Sequence, residues 1–233
     1  DIQYVEAPDS NDISPMLDES VTVKGVVTVP TGVFYAGSGV RFTISDVDGG
    51  PWSSISFYAP DSSGFPTLFR GDLVEVSGIV QEYQTASSNQ TQIYVDSPIN
   101  ILEVEVELPE VPIINTGDLT YPDDAEQWES VIIAIENAEV TQNDLQYEVF
   151  AIDDGSGHLL IDDESSNISD YFQENDPPSI GTNVDYIQGF VYHHYGNINE
   201  GTSYKLCPIF LEDIQFEDDE ELESDNSVLF TIE

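Results

Sequence analysis

Forty-six of the 233 residues are Asp or Glu, and several of them sit in short turn-like runs: Asp9-Ser10-Asn11-Asp12, Asp46-Val47-Asp48-Gly49, Asp153-Asp154-Gly155 and Asp162-Asp163-Glu164. Carboxylates, amides and main-chain carbonyls in turn-rich loops are the oxygen ligands that Ca²⁺ takes. Asp9, Asp12, Asp46, Asp48, Asp153, Asp154, Asp162 and Asp163 are therefore the candidate metal ligands, and calcium is the one cofactor expected. None of these runs completes an EF-hand, which needs a twelve-residue loop ending in Glu. Tight hairpins also select Asp and Gly for their backbone preferences alone.

The other chemistry-bearing side chains are few. His158, His193 and His194 are the only histidines and Cys207 the only cysteine. Neighbours on a strand point to opposite faces, so His193 and His194 do not readily share one ion, and surface or loop positions are expected for them. One thiol with no second cysteine builds no intrachain disulfide framework; a small buried hydrophobe is the expectation for Cys207. No catalytic string is present and no enzyme is expected.

Only Lys24, Arg41, Arg70 and Lys205 oppose the acids, which leaves a formal net charge of -42. A polyanion of this density repels phosphate backbones and anionic lipid and gathers cations. Neither nucleic acid nor a membrane surface is expected as a partner on this ground. The charge fits either a hypersaline cytoplasm or an extracellular space, and abundant Tyr, Asn, Ser, Thr and Gly with scarce Lys favours the second. The sequons Asn89-Gln90-Thr91 and Asn167-Ile168-Ser169 are compatible with export. There is no apolar run long enough to span a membrane and no basic start with an apolar stretch behind it, so any leader is expected to have been removed already.

The elements that would hold these residues read as strands. Apolar and polar residues alternate over short stretches separated by turn residues, with almost no helical period. Strands are predicted at 21–29, 40–44, 55–58, 73–80 and 93–95. A repeat then appears: Asp48-Gly49-Gly50 is echoed by Asp154-Gly155-Ser156, Gly71-Asp72-Leu73-Val74 by Gly181-Thr182-Asn183-Val184, and Ser77-Gly78-Ile79-Val80 by Gln188-Gly189-Phe190-Val191. Ordered landmarks at a near-constant offset indicate a duplicated domain, with second-copy strands at 131–135, 147–152, 159–162, 184–192 and 204–206. The fold class predicted is all-β: two tandem OB-like five-stranded Greek-key barrels, residues 1–107 and 108–216, with an acidic linker and a C-terminal extension strand over 217–233. Leu108-Pro109-Glu110-Val111-Pro112 suits an extended, semi-rigid connection. The intervals 59–70 and 165–180 would carry a short helix or a loop, Asp176-Pro177-Pro178 keeping any helix brief.

Ile2-Gln3-Tyr4, Val21-Thr22-Val23-Lys24-Gly25-Val26-Val27-Thr28 and Gly71 to Tyr83 resemble the OB-fold modules of secreted bacterial proteins. Those modules often accompany nuclease or cell-surface sorting domains. Glu126-Gln127-Trp128-Glu129-Ser130-Val131, Asp153-Asp154-Gly155-Ser156-Gly157, Ile161-Asp162-Asp163, Tyr192 to Tyr195 and Cys207-Pro208 are similar to the companion module. The resemblance implies an accessory role rather than catalysis, since metal-assisted phosphodiester hydrolysis needs His or Lys among clustered acids. An OB fold also suggests single-stranded nucleic acid stacked on aromatics in a basic groove. Phe42, Phe57, Tyr58, Tyr83, Tyr94, Tyr192 and Tyr195 supply aromatics, but four cations over two domains do not build such a groove, and these residues are expected in the core and in cross-strand pairs.

After Phe216 an acidic tract leads to Ser227-Val228-Leu229-Phe230-Thr231-Ile232-Glu233, an apolar strand-forming run outside both repeats. Val228, Leu229, Phe230 and Ile232 are the candidate assembly residues, adding to a neighbouring subunit's open sheet edge, with Ile2 to Val5 as a second such segment. The leading expectation is a secreted, non-catalytic, self-assembling filament or surface-layer subunit, a homopolymer with cations bridging its acidic faces. Its alternative is an accessory module that binds a glycan or protein ligand on the barrel face. In a third reading, a halophilic protein, the acidity serves only hydration.

Overall fold

The computed structural model describes residues 2–8, 12–143, 145, 149–194 and 203–217. In the first half, β1 (Ser20–Val29), β2 (Val40–Ser45), β3 (Ser54–Ala59), β4 (Leu73–Gln84), β5 (Asn89–Val95) and β6 (Asn100–Glu103) follow in chain order. They pair as β1-β2-β3-β5-β4, and β4 returns to β1 to close a barrel. The β3–β5 pair is parallel and the others are antiparallel. A one-turn helix α1 (Pro122–Ala125) precedes the second half, where β7 (Ile132–Gln142), β8 (Phe150–Asp153), β9 (His158–Ile161), β10 (Asn183–His193), β11 (Tyr204–Cys207) and β12 (Ile214–Phe216) repeat the plan. There β9–β11 is the parallel pair and β10 closes on β7. The chain is all-β, two OB barrels in tandem.

The repeated glycines meet the same steric demand in each copy. Gly71 and Gly181 both have φ of +89° in the turn before the fourth strand of their barrel, a conformation that disfavours any side chain. Each turn is locked to the first strand: Gly71 N–H donates to the Val27 carbonyl at 3.0 Å and Gly181 N–H to that of Val140 at 2.8 Å. A Cβ on Gly78 would lie 2.3 Å from the Tyr94 carbonyl oxygen, and one on Gly189 2.6 Å from that of Cys207. Both mark the place where one long strand changes partners along one edge. β4 pairs with β6 over its first residues and with β5 from Gly78 onward, and β10 likewise passes from β12 to β11. Backbone approach this close admits only glycine. The sixth strands were not predicted; at three and four residues they are too short for a period to show.

Each barrel has its own core. Phe42, Phe57, Leu68, Val74, Val76, Val80 and Ile93 fill the first; Ile133, Ile135, Phe150, Ile152, Ile161, Val191 and Leu206 fill the second. The interval between β3 and β4 is a loop, whereas that between β9 and β10 carries α2 (Ser166–Glu174). Ser165 caps α2 by accepting from Asn167 N–H, and Ile168 and Phe172, one turn apart, seal the barrel end.

A third apolar cluster joins the barrels. Val29, Val33 and Phe34 from the first pack on Ile132, Phe190, Tyr192, Cys207 and Ile209 from the second. This explains why β1 alternates over its first half and is wholly buried from Val26 to Val29. The 108–112 segment lies along this junction. Pro112 accepts from Ala134 N–H at 2.8 Å, and Val111 packs on the joining cluster. Ile2 to Val5, considered above for exchange between subunits, packs on its own chain: Ile2 meets the first core, and Gln3 and Val5 are buried. Val228, Leu229, Phe230 and Ile232, like Asp9, lie outside the described residues.

Candidate functional site: a tyrosine cleft and an acid cluster between the barrels

Alternation in the first barrel sends one parity inward and leaves the other on the face of β2, β3, β5 and β4. Phe42, Phe57, Ile93 and Val80 point in. Arg41, Tyr58, Tyr94, Gln92, Gln81 and Tyr83 point out, and register aligns them: Arg41 opposite Tyr58, Tyr58 beside Tyr94, Gln81 opposite Gln92. The face forms the floor of a cleft of ≈ 460 Å³. The β1–β2 loop contributes Tyr35, which is 83% exposed, and the second barrel contributes Tyr192, His194 and Glu164.

One wall is a continuous stack. Tyr83 faces His194 with centroids 6.1 Å apart, His194 lies on Tyr192 at 4.6 Å and 7° between planes, and the Arg41 guanidinium sits 4.9 Å from the Tyr192 centroid. Arg41 Nη1 donates to Glu164 Oε1 at 2.8 Å, so the two charged groups of the cleft neutralise each other. Burial pushes the Glu164 carboxyl above its ordinary value, outweighing the opposing effect of Arg41. Burial likewise lowers His194 to about 4, with a contribution from Lys205, so at neutral pH its ring is an uncharged stacking surface. Tyr58 and Tyr94 lie 6.2 Å apart on the floor. Flat rings and side-chain amides around a charge-compensated floor form a site for a ligand with apolar faces and hydrogen-bonding edges.

A second constellation lies where the inward parity of β4 and β5 runs out of the barrel. Glu82 continues the row of Val76 and Val80, and Thr91 the row of Ile93; Thr91 Oγ1 donates to Glu82 Oε1 at 3.1 Å. Asp12, Glu126, Glu129 and His193 converge on them. Glu129 Oε1 accepts from Thr91 N–H at 3.0 Å, Asp12 Oδ1 from Asn89 Nδ2 at 3.0 Å, and Glu126 Oε2 from the Tyr204 hydroxyl. The His193 ring stacks on Tyr204 at 4.0 Å, and its Nδ1 donates to the Asn89 carbonyl at 3.0 Å. The same Nδ1 is 3.5 Å from Glu129 Oε2 and 3.9 Å from Asp12 Oδ2. Burial raises Glu82 to about 7. Burial together with the Glu129 charge raises Glu126 to about 9, and burial with Glu82 raises Glu129 well above the carboxylate range.

The expected ligand loops fare differently from one another. Asp46 Oδ1 accepts from Asp48 N–H at 3.0 Å in its hairpin turn. Asp153 Oδ1 accepts from Gly155 N–H at 2.7 Å. Burial opposes ionisation of Asp154, but hydrogen bonds from Ser156 and Thr116 outweigh it and hold the carboxyl below its usual range. Asp162 pairs with Lys205, and Asp163 borders a groove beside Glu164. Of the eight candidate ligands, Asp12 alone among the described residues joins the acid cluster with a histidine. The histidines require a correction. The opposite-face argument is right in direction, since His193 meets the acids and His194 the cleft, but His193 is buried rather than superficial. Among the aromatics Phe42 and Phe57 are core, stacked at 4.7 Å. Tyr192 is buried where the barrels join, and Tyr58 and Tyr94 are the expected cross-strand pair, but Tyr58, Tyr83 and Tyr94 face outward, the parity of Phe57-Tyr58 being the available signal; Tyr195 lies outside the described residues. Cys207 is fully buried.

No protein-family model matches the chain, and no curated protein does. Solved structures do. A murine DNA binding protein bound with ds DNA is 10% identical, covers 80% of this chain and 90% of its own, with a TM-score of 0.40. A small single-stranded DNA-binding protein from Streptomyces coelicolor is 21% identical over 36% of this chain and 94% of its own, with a TM-score of 0.25. An OBody bound to hen egg-white lysozyme is 23% identical over 36% and 93%, with a TM-score of 0.27. The exclusion of nucleic acid drawn from net charge is corrected by this comparison: structures described as DNA-binding are among those the chain is similar to. Whole-chain charge is an average, and a ligand meets a local face, where Arg41 is already compensated.

Proposed function

We propose that the chain is a secreted, non-catalytic binding module of the kind that accompanies larger extracellular proteins, and that its tyrosine cleft holds an uncharged oligosaccharide. The observation that carries this reading is the row Arg41, Tyr58, Tyr94 on the outer face of the first barrel, walled by Tyr192 and His194 of the second. That face, with the loop between the first two strands, is where OB folds take oligonucleotides and oligosaccharides. A sugar ring offers C–H faces to Tyr58, Tyr94 and Tyr35 and hydroxyls to the Gln81 and Gln92 amides. The ion pair of Arg41 and Glu164 leaves the cleft no net charge to match. Titration calorimetry with cellohexaose, chitohexaose, mannohexaose and the oligonucleotide dT10 tests the reading. Binding of one saccharide, weakened roughly tenfold or more by Tyr94→Ala, is the expected result. Binding of dT10 in the cleft with no saccharide response would replace the ligand class.

A second reading keeps the chain as a self-assembling extracellular subunit, with Val228, Leu229, Phe230 and Ile232 as the donated strand. It rests on the apolar run after an acidic tract. Truncation after Asp225 is the test; unchanged assembly of the shortened chain sinks it.

A further inference from the structure

We propose that Asp12, Glu126, Glu129 and His193 form a binding site for a divalent transition-metal ion, of the class of Zn²⁺ or Mn²⁺, at the junction of the two barrels. Donor atoms of Asp12, Glu126 and His193 lie within 4.8 Å of one another. Glu129 Oε2 stands 3.5 Å from the histidine Nδ1, which would exchange its proton and its bond to the Asn89 carbonyl for the ion. The inference is independent of what the tyrosine cleft binds.

The arrangement of hydrogen bonds distinguishes this cluster from a patch of surface acids. Asp12, Glu126 and Glu129 are each held through one oxygen by a protein donor: Asn89 Nδ2, the Tyr204 hydroxyl and Thr91 N–H respectively. The second oxygens of Asp12 and Glu129 turn toward His193. Ligands oriented by an outer layer of donors, with one oxygen left over, are how proteins build metal centres. Glu129 is 1% exposed, and its Oε2 has no hydrogen-bond partner. Six buried side-chain polar atoms among the described residues lack a partner, and three of them, Glu129 Oε2, Asn89 Oδ1 and Gln3 Oε1, belong to this one network. All three are acceptors. Buried acceptors in excess of donors take up protons or a cation that replaces them, and no lysine or arginine among the described residues pairs with these acids. Arg41 pairs with Glu164, Lys205 with Asp162, Arg70 lies over Phe210, and Lys24 stands opposite Glu75 on the ladder of β1 and β4.

The donor types set the class of ion. Ca²⁺ and Mg²⁺ take oxygen ligands, whereas a set that mixes carboxylates with an imidazole suits Zn²⁺, Mn²⁺ or their neighbours. Such an ion would tie together the N-terminal segment, the chain before β7 and the end of β10. His194 follows His193 directly, so the ion would also fix one wall of the cleft.

The test uses the full chain, stripped with chelator and re-exposed separately to Zn²⁺, Mn²⁺, Ca²⁺ and Mg²⁺. About one equivalent of Zn²⁺ or Mn²⁺ should survive gel filtration and raise the melting temperature. Glu129→Gln, which preserves shape and the Thr91 hydrogen bond, and His193→Ala should each weaken retention more than tenfold, while Asp46→Asn should not change it. Co²⁺ supplies a readout that loss of packing would not imitate: its visible spectrum should change when Glu129→Gln replaces the native chain. Retention of Ca²⁺ alone, no retained metal, or a Co²⁺ spectrum and metal content untouched in Glu129→Gln would each overturn the proposal.

Discussion

The two barrels have the same strand order, the same glycine turns and the same crossover, yet their outer faces are opposite in character. In the first barrel the cross-strand row reads Arg41, Tyr58, Tyr94. At that place the second barrel has Asp162 for Tyr58 and Cys207 for Tyr94, and the next row along its outer face, the counterpart of Thr43, Ser56 and Gln92, reads Ala151, Leu160, Lys205. Ala151 and Leu160 are buried under Val149 and Leu145, and Lys205 is buried against Asp162. One copy therefore keeps its face open and aromatic, while the other closes its own with small apolar groups and an internal ion pair. The second barrel then contributes to the site by presenting Tyr192, His194 and Glu164 from its flank. Duplication here supplied a rigid wall, and the choice of outward residues decided which copy holds the cleft.

The most damaging change to this asymmetry is to remove the first barrel's aromatic row. Tyr58→Leu with Tyr94→Lys should abolish saccharide binding, by about a hundredfold or more, while circular dichroism and gel filtration stay native because both side chains point away from the core. Next in size are the features the barrels share. Gly78→Ala and Gly189→Ala should destabilise by comparable amounts, about 1–3 kcal/mol each by denaturant unfolding, since each new Cβ meets strand backbone. A large effect from one and none from the other would show that the copies do not share the crossover. Arg41→Ala removes the end of the stack and leaves Glu164 alone; binding should fall about tenfold, and Arg41→Lys should recover only part of it, because an ammonium does not lie flat on Tyr192.

The smallest effect is a slope with pH. The Glu164 carboxyl is raised in the folded chain, so the folded state holds its proton more tightly than the unfolded state. Its contribution to stability is complete below the ordinary carboxylate value and is lost as pH rises through the raised one. Glu164→Gln should remove that part of the decline in stability with rising pH, and a decline identical in the two proteins would contradict the assignment.

The fold was legible in the sequence because its signals are local. Alternation places all ten barrel strands, the prolines at 177 and 178 limit α2, and Gly71, Gly78, Gly181 and Gly189 announce the duplication since each answers a backbone requirement. The site was only half legible. Phe57-Tyr58 and Ile93-Tyr94 carry the parity that separates core from cleft, but parity does not say which face a second domain leaves open. Nothing local connects Asp12, Glu82, Glu126, Glu129 and His193, which come together only when both barrels close and dock. Loops rich in acids drew the calcium expectation because composition is visible along the chain, whereas the loops at 46–49 and 153–157 use those oxygens to hold their own turns.

In the proposed function the first barrel's face is the binding surface and the second's is closed. Amide and tyrosine side-chain resonances of the isotopically labelled full chain, followed during titration with whichever of the three hexaoses calorimetry selects, test this directly. Shifts confined to Tyr58, Tyr83, Tyr94, Gln81, Gln92 and His194, with Ala151, Leu160 and Lys205 unmoved, are the predicted result. Saturable binding that moves the second barrel's face and leaves Tyr58 and Tyr94 unchanged would contradict it.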